Sequence, residues 1–418
     1  MDEVEASTAR ILADVMALTE PAYTRGGPGL TRHAYTEEYA NTLAYFRTAF
    51  EELGYDVWFD PVGTLVASNR PPGAPAFGLG SHCDANRNGG PWDGTLGVVG
   101  ALEVCRLAAA RGMDLPLRVF AFMEEEGSGF EEMLLGSRIM AGDVTAQQLA
   151  ALRDENGVDF FTSARAAGYA PERFEESPRE LDGLFGWIEL HIEQGRTLQD
   201  EGLTIGVVDV IAGMVHADVI VTGRPDHAGG TAMRFRSDPL LTAAEIVLEV
   251  EALTTSMSDD AVGTVGEFAV HPNLVNVIPG EVTFSLDMRS GSGDHLRVLD
   301  ELLAFAQERA ASRGQAVEYR ERVRVTPSPM DPAIVATLAN LCAETGVAWR
   351  TMPSGGGHDT MRVVPRIPGA MVFVPCRDGI SHAPDEDADP AHAALACQLI
   401  LAAVERLSAA ALTPGETA

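Results

Sequence analysis

The 418-residue chain is short of positive charge: 30 Lys and Arg stand against 61 Asp and Glu, a formal net charge of -31 at pH 7. That deficit argues against nucleic-acid phosphates or anionic lipid as partners, because both are held by clustered cations. Cysteine is scarce as well. The five thiols, Cys83, Cys105, Cys342, Cys376 and Cys397, are odd in number, scattered and without a CxxC pair, so they read as buried reduced thiols rather than a disulfide framework. Cys83 adjoins His82, but successive residues of a strand point to opposite faces, so it is expected to pack rather than ligate. No apolar run approaches the roughly 18 residues that span a membrane. The start, MDEVEASTAR, has neither the basic region nor the apolar core of a secretory signal, so the expected location is the cytoplasm. No serine sits in GxSxG and SGGGHDT lacks GK[ST], which argues against serine-hydrolase and P-loop chemistry. There is no internal repeat, and only the short tail after Ala410 is of low complexity.

At this length two domains are expected. Residues 1–211 alternate helical and strand-like patterns: helices at 37–53 and 96–111 close on Gly54 and Gly112, and apolar runs at 76–80 and 117–123, the second broken by Arg118 alone, read as strands covered on both faces. Near residue 212 the texture changes. A strand at 216–223, a helix at 239–253, two antiparallel strands within 266–290 around Pro279-Gly280, a helix at 294–313 and a strand at 316–325 describe a small α+β two-layer sandwich. Pro327 and Pro329 mark the return to a helix at 331–345, the SGGGHDT loop, a strand at 370–376 and a last helix that Asp389 caps with Pro390 in first place. The expected fold is thus α/β with a mainly parallel sheet over 1–211 and 326–418, interrupted by an inserted lid domain at 212–325, with Gly213 and residues 327 to 329 as hinges.

The chemistry gathers at strand ends. His82 follows the first apolar run, Asp93 lies in the Gly-rich loop of GSHCDANRNGGPWDGTLG, and Glu124, Glu125 and Glu126 end the second run. In a parallel sheet this carboxyl edge is where ligands bind. His191 in IELHIEQG and His382 in GISHAPDED end two further strand-like runs. Three imidazoles with Asp93 and Glu126 are donors that Zn, Mn, Co or Ni accept, and one bridging carboxylate would make two shells of three. Two divalent cations against two carboxylates and a hydroxide leave a charge of about +1, enough to polarise a substrate carbonyl. Glu125, beside Glu126, is placed to carry a proton from water to a leaving nitrogen. Singly, a His at a strand end or a run of Glu is more often structural; jointly they point to a two-metal hydrolase.

The segments GSHCDANRNGGPWDGTLGV, EEEGSGF with LLGSR, IELHIEQG, HAGGTAMRFRSD, PNLVNVIPG with LDMR, SGGGHD and GISHAPDE resemble, in order, the amidase/hydantoinase/carbamoylase family of dinuclear metallohydrolases. That family includes N-carbamoyl-L-amino-acid hydrolases, beta-ureidopropionases and allantoate amidohydrolases, and is related to aminoacylases and dimetal exopeptidases. The resemblance implies one divalent metal on His82, Asp93 and His191 and a second on the bridging Asp93 with Glu126 and His382, zinc or manganese before cobalt or nickel. It implies Glu125 as general base and His227 as the oxyanion stabiliser, with Gln194, Asn276 and Arg289 on the substrate carboxylate and amide, an arginine fork being suited to a carboxylate. His216 and Gly357 fall near the expected pocket by position. The histidine at 191, where related exopeptidases carry an acid, favours the carbamoylase branch.

The resemblance further implies a homodimer formed through the inserted domain, with His227, Asn276 and Arg289 supplied across the interface, and a cis peptide between Asp93 and Gly94. One departure is Gly129, where the family usually reads arginine in EEEGxRF; it lies outside the expected ligands, so hydrolysis is expected to survive with a shifted substrate preference. The ANRN stretch at 85–88 is a second departure. The expected activity is cleavage of an N-carbamoyl C–N bond on a small carboxylic acid. Its rivals are an aminoacylase or dipeptidase, and a non-catalytic binding homologue, which should have lost Glu125 or a ligand.

Overall fold

The computed structural model describes residues 3–258 and 261–412; the end of the low-complexity tail lies outside the described residues. The chain divides into two units, Met1–Asp209 with Pro329–Met352 and His358–Ala418, and Val210–Ser328 with Pro353–Gly357. Part of the SGGGHDT loop therefore groups with the inserted stretch rather than with the residues that follow it.

The larger unit is built on a sheet whose central strands run Gly369–Val374, Leu184–Ile192, Ala76–His82, Leu117–Phe122, each parallel to its neighbour. Leu65–Ser68 and Asp56–Phe59 extend one side antiparallel, and Ile205–Ile211 joins the other side antiparallel. Every residue of Ala76–His82, Leu117–Phe122 and Gly369–Val374 is buried, which is why their sequences are largely apolar without alternation; the buried Arg118 is an exception, donating to the carbonyls of Ala74, Glu180 and Asp182.

Helices Glu3–Ala17, Thr95–Ala110 and Pro390–Leu412 pack on one another. The segment Pro390–Ala411 is long and apolar enough by composition to cross a membrane, a feature that scanning for uninterrupted apolar runs passes over. It packs against Glu3–Ala17, Thr95–Ala110 and Pro332–Thr345, and its apolarity is that of a core helix.

Ala85–Gly89, expected as loop, is a strand paired antiparallel with Leu30–Arg32. Its partner lies more than fifty residues earlier, beyond the reach of any local pattern.

In the second unit an antiparallel sheet runs Val262–Thr264, Glu281–Ser290, Gly213–Thr222, Ala316–Val325, with Phe268–His271 also on Glu281–Ser290. Helices Pro239–Met257 and Asp294–Ser312 cover one face around Val219, Val221, Phe284, Leu286 and Leu302. Burial alternates along Glu281–Ser290, so Asp287 and Arg289 stand on the face opposite that core. The 266–290 stretch is more divided than its two expected strands. Phe268–His271 and Glu281–Ser290 form a hairpin, while Val277–Ile278 at its tip turns aside to pair with Asp226–His227.

Candidate metal centre

Four parallel strands deliver the expected ligands to one sheet edge. His82 is the last residue of its strand and pairs with Phe122, which puts Glu124 to Glu126 beside it; His191 pairs with Phe373 on the next strand. Asp93 precedes helix Thr95–Ala110. That helix approaches the sheet through glycine: a Cβ on Gly94 would fall on the His82 ring, and one on Gly97 on Ser81 and the Leu190 carbonyl. Gly94 has φ 60, a left-handed turn that glycine adopts freely. The Asp93–Gly94 bond is trans, against expectation; the cis peptide among the described residues is His271–Pro272. The left-handed glycine makes the tight turn without it.

Asp93 is the hub. His191 Nε2 lies 3.1 Å and His82 Nε2 3.8 Å from its Oδ1, while His382 Nε2 lies 3.0 Å from Oδ2 and 3.3 Å from Glu126 Oε2. Two donor sets result, His82, Asp93, His191 and Asp93, Glu126, His382, with ligand atoms within 4.8 Å of one another in each. The remaining ring nitrogens have neighbours of their own: His191 Nδ1 is 2.9 Å from the Ile192 carbonyl and His82 Nδ1 3.3 Å from that of Asp84. Such partners fix a ring and leave Nε2 as the coordinating atom. Glu125 belongs to neither set, yet its Oε2 lies 3.6 Å from His82 Nε2. A further set, Glu189, His191 and His358, shares His191; Glu189 accepts from Ser81 Oγ at 2.6 Å and Thr360 Oγ1 at 2.6 Å.

Several neighbours were not picked out from the sequence pattern. Asp84 accepts the amides of Glu125 and Glu126 at 3.2 and 3.1 Å. Asn86 Nδ2 donates to Glu126 Oε2 at 2.6 Å and Ser128 Oγ donates to Asn86 Oδ1 at 2.5 Å. Ser381 Oγ lies 2.9 Å from Asp93 Oδ2. The carboxylate two residues after His82, and the hydroxyl before His382, were the only available signals. Gln194, expected on substrate, here donates to Asp93 Oδ2 at 2.8 Å. Glu124, Gln194 and His382 all have left-handed backbone, at φ 52, 58 and 55, a conformation that costs roughly 1–3 kcal/mol for a non-glycine residue and collects at functional loops.

The electrostatics are those of crowded buried acids. Burial pushes Glu124 up to about 8 and Glu126 up to about 7, with Asp84 and Asp93 adding repulsion, and lifts Glu125 well above the usual carboxylate range. Burial works against Asp93 too, but the imidazoles of His191 and His382 overcome it and hold that carboxyl well below its ordinary value. His382 rises to about 9 through its hydrogen bond with Asp93. For His82 burial opposes the charge, and the carboxylates of Glu125 and Asp84 outweigh it and raise the ring well above 6.5. The cluster demands positive charge. Imidazolium protons answer that demand, and a divalent cation answers it with the same atoms, so the donor set fits two metal ions.

The other expected residues stand on the second unit. His216 and Asp287 are cross-strand partners, with Nε2 3.3 Å from Oδ2. The Arg289 fork is already engaged: Nε and Nη2 donate to Asp287 at 3.0 and 2.9 Å, and Nη1 to the Gly355 carbonyl at 3.0 Å. Burial would raise Asp287, but His216 and Arg289 hold it well below the usual range. Gly357 closes the segment that contains Gly355. His227 is exposed and its Nδ1 accepts the amides of Gly229 and Gly230 at 3.0 Å each, which leaves the ring proton on Nε2 as an outward donor. Asn276 adjoins it, its carbonyl accepting the Ala228 amide at 3.0 Å.

Residues 79–406 match the description of peptidase family M20/M25/M40. An N-carbamoyl-L-amino-acid amidohydrolase of Paenarthrobacter aurescens is 38% identical over 390 residues, 92% of this chain and 94% of that one. An allantoate amidohydrolase of Bacillus subtilis strain 168 is 34% identical over 366 residues, 86% of this chain and 88% of the other. The crystal structure of an amidase of the hydantoinase/carbamoylase family from Burkholderia multivorans superimposes with a TM-score of 0.89 at 31% identity, covering 96% of this chain and 98% of that one. With the matched span, the identities and the shared fold in agreement, the chain belongs to peptidase family M20/M25/M40, in its hydantoinase/carbamoylase amidase branch.

Proposed function

We propose that the chain is a metal-dependent amidohydrolase that cleaves the C–N bond of an N-carbamoyl group on a small carboxylic acid, such as an N-carbamoyl-L-amino acid, ureidopropionate or allantoate. Water adds and the amine, carbon dioxide and ammonia leave. The observation that carries this reading is the division of one carboxylate between two donor sets, Asp93 Oδ1 toward His82 and His191, Oδ2 toward His382, which also meets Glu126. The amidohydrolase relatives support a carbamoyl substrate, and the imidazole at 191 supports it over an ordinary amide.

His82, Asp93 and His191 would hold one divalent ion and Asp93, Glu126 and His382 the other, zinc or manganese before cobalt or nickel. When bound, the pair supplies concentrated positive charge that acidifies water and polarises the scissile carbonyl. Glu125 takes the proton of the attacking water and returns it to the leaving nitrogen; it is buried beside His82 and belongs to neither donor set, which leaves it to carry the proton. His227 donates from Nε2 to the oxygen that gains negative charge. Arg289, Asn276 and Gln194 grip the substrate carboxylate and amide, with His216 and Gly357 alongside. Asp287 aligns Arg289 for this by holding one edge of its fork.

The enzyme acts as a homodimer through the inserted residues, which offer His227, Asn276 and Arg289 to the partner's centre. Exposed Met233, Phe235, Leu274 and Val275, in the loops that carry His227 and Asn276, support a surface covered by another chain. Five free, buried cysteines support the reducing cytoplasm as its location.

The test is a panel of ureido acids, read by ammonia release, and N-acyl amino acids, read by free amine, with Zn, Mn, Co or Ni added to metal-stripped protein. Metal-dependent ammonia from at least one ureido acid is expected. Hydrolysis of N-acyl substrates alone, or full activity without metal, overturns the assignment.

A further inference from the structure

Glu386 touches neither donor set as a ligand, yet its carboxylate joins the two loops that carry Asp93 and His382. It is buried, at 3% exposure. Its Oε1 accepts the backbone amides of Trp92 at 2.8 Å and Asp93 at 2.9 Å, from residues 294 and 293 positions earlier in the chain. Its Oε2 accepts the His382 amide at 3.2 Å and lies 3.0 Å from Ser381 Oγ, whose single proton it shares with Asp93 Oδ2. An ionised carboxylate is the side chain that meets four such donors at once, because it only accepts. The opposite wall is shaped for it: a Cβ on Gly90 would land on Glu386 Cβ, Cδ and Oε1.

We propose that Glu386 is a positioning residue for the metal centre, resting on the two-metal reading above: by clamping the Asp93 and His382 backbones to one rigid carboxylate it sets the separation of Asp93 Oδ2 and His382 Nε2. Those two atoms belong to the set that also contains Glu126, so the second ion depends on the clamp more than the first. His382 enters its loop with left-handed backbone at φ 55, a conformation that the hydrogen bond from its amide to Glu386 Oε2 helps to hold.

Glu386→Gln keeps the shape but places an NH2 group against N–H donors on one side of the clamp. Zinc binding to the metal-stripped full-length protein, followed by equilibrium dialysis, is the readout, with the melting temperature of the zinc-free protein measured in parallel. Wild type should take two zinc ions per chain. Glu386→Gln should keep one and bind the other about tenfold or more weakly, the usual loss when a partner of a metal ligand is removed. Its zinc-free melting temperature should stay close to that of wild type. Gly90→Ala, which keeps the carboxylate but pushes it aside, should show the same selective loss and decides the matter should Glu386→Gln fail to fold. Two zinc ions bound with wild-type affinity by these variants would overturn the inference, as would a zinc-free destabilisation that accounts for the loss. A wild type that takes fewer than two zinc ions would instead fail the two-metal reading, and the inference with it.

Discussion

Asp84 accepts the backbone amide of Glu125 at 3.2 Å, so the turn that follows His82 grips the peptide of the proposed proton carrier. Its second oxygen takes the amide of Glu126 at 3.1 Å. One carboxylate therefore orients two neighbouring acids: Glu126 toward His382, at 3.3 Å, and Glu125 toward His82, at 3.6 Å. Two adjacent residues of one type are given different surroundings, and that difference can be separated by experiment.

Glu125→Gln should keep both metal ions and the fold while lowering turnover by roughly 100-fold or more, the usual worth of a general acid-base group. Glu126→Gln should lose metal as well as activity. Metal content by atomic emission, beside turnover, checks the division; equal depletion in both variants contradicts it.

Gly94→Ala should injure the centre without altering a single donor. The added Cβ would fall on the His82 ring, and the backbone at φ 60 disfavours any side chain. Metal affinity should drop by about tenfold or more, in line with losses on displacing a ligand's support. A variant that binds metal as wild type does would show that the helix can retreat from the sheet.

Metal binding should release protons. In the metal-stripped protein the hydrogen bond with Asp93 raises His382 to about 9, so its ring is charged at pH 7, and the neighbouring carboxylates raise His82 and His191 above their ordinary value. A raised folded-state value means the ion pairs with Asp93 and its neighbours stabilise fully below about 6.5 and fade as pH climbs through the folded values, near 9 for His382. Zinc must displace the His382 proton, so its apparent affinity should rise with pH to about 9, with at least one proton released at pH 7. Calorimetry in buffers of different ionisation heat counts them; a heat independent of buffer would refute the assignment.

Mixing Glu125→Gln with Arg289→Ala, each inactive alone, should restore activity once subunits exchange. A shared site gives the mixed dimer one centre with both groups intact. With exchange confirmed by mass spectrometry, absence of recovery would place each complete site within a single chain.

Local pattern carried far in this chain because its strongest signals are local. Total burial makes Gly369–Val374, and Leu117–Phe122 apart from Arg118, continuous apolar runs, half-burial makes Glu281–Ser290 alternate, and Asp331 announces its helix by accepting the amides of Ala333 and Ile334. Donor chemistry is equally restrictive: imidazoles and acids at strand ends have few uses, so His82, Asp93, Glu126, His191 and His382 could be picked out before any of them was seen to approach another.

Tertiary structure alone decided what depends on distant partners. Ala85–Gly89 became a strand because Leu30–Arg32 came beside it, and the tip of the 268–290 hairpin turned aside to meet Asp226–His227. Asp84, Asn86, Ser381 and Glu386 act through hydrogen bonds to residues tens to hundreds of positions away, and no spacing rule records such a bond. The trans bond after Asp93 and the commitment of the Arg289 fork to Asp287 are likewise products of packing. Residue types and periodicities are properties of short segments, whereas the orientation of a ligand is set by whatever the fold brings against it.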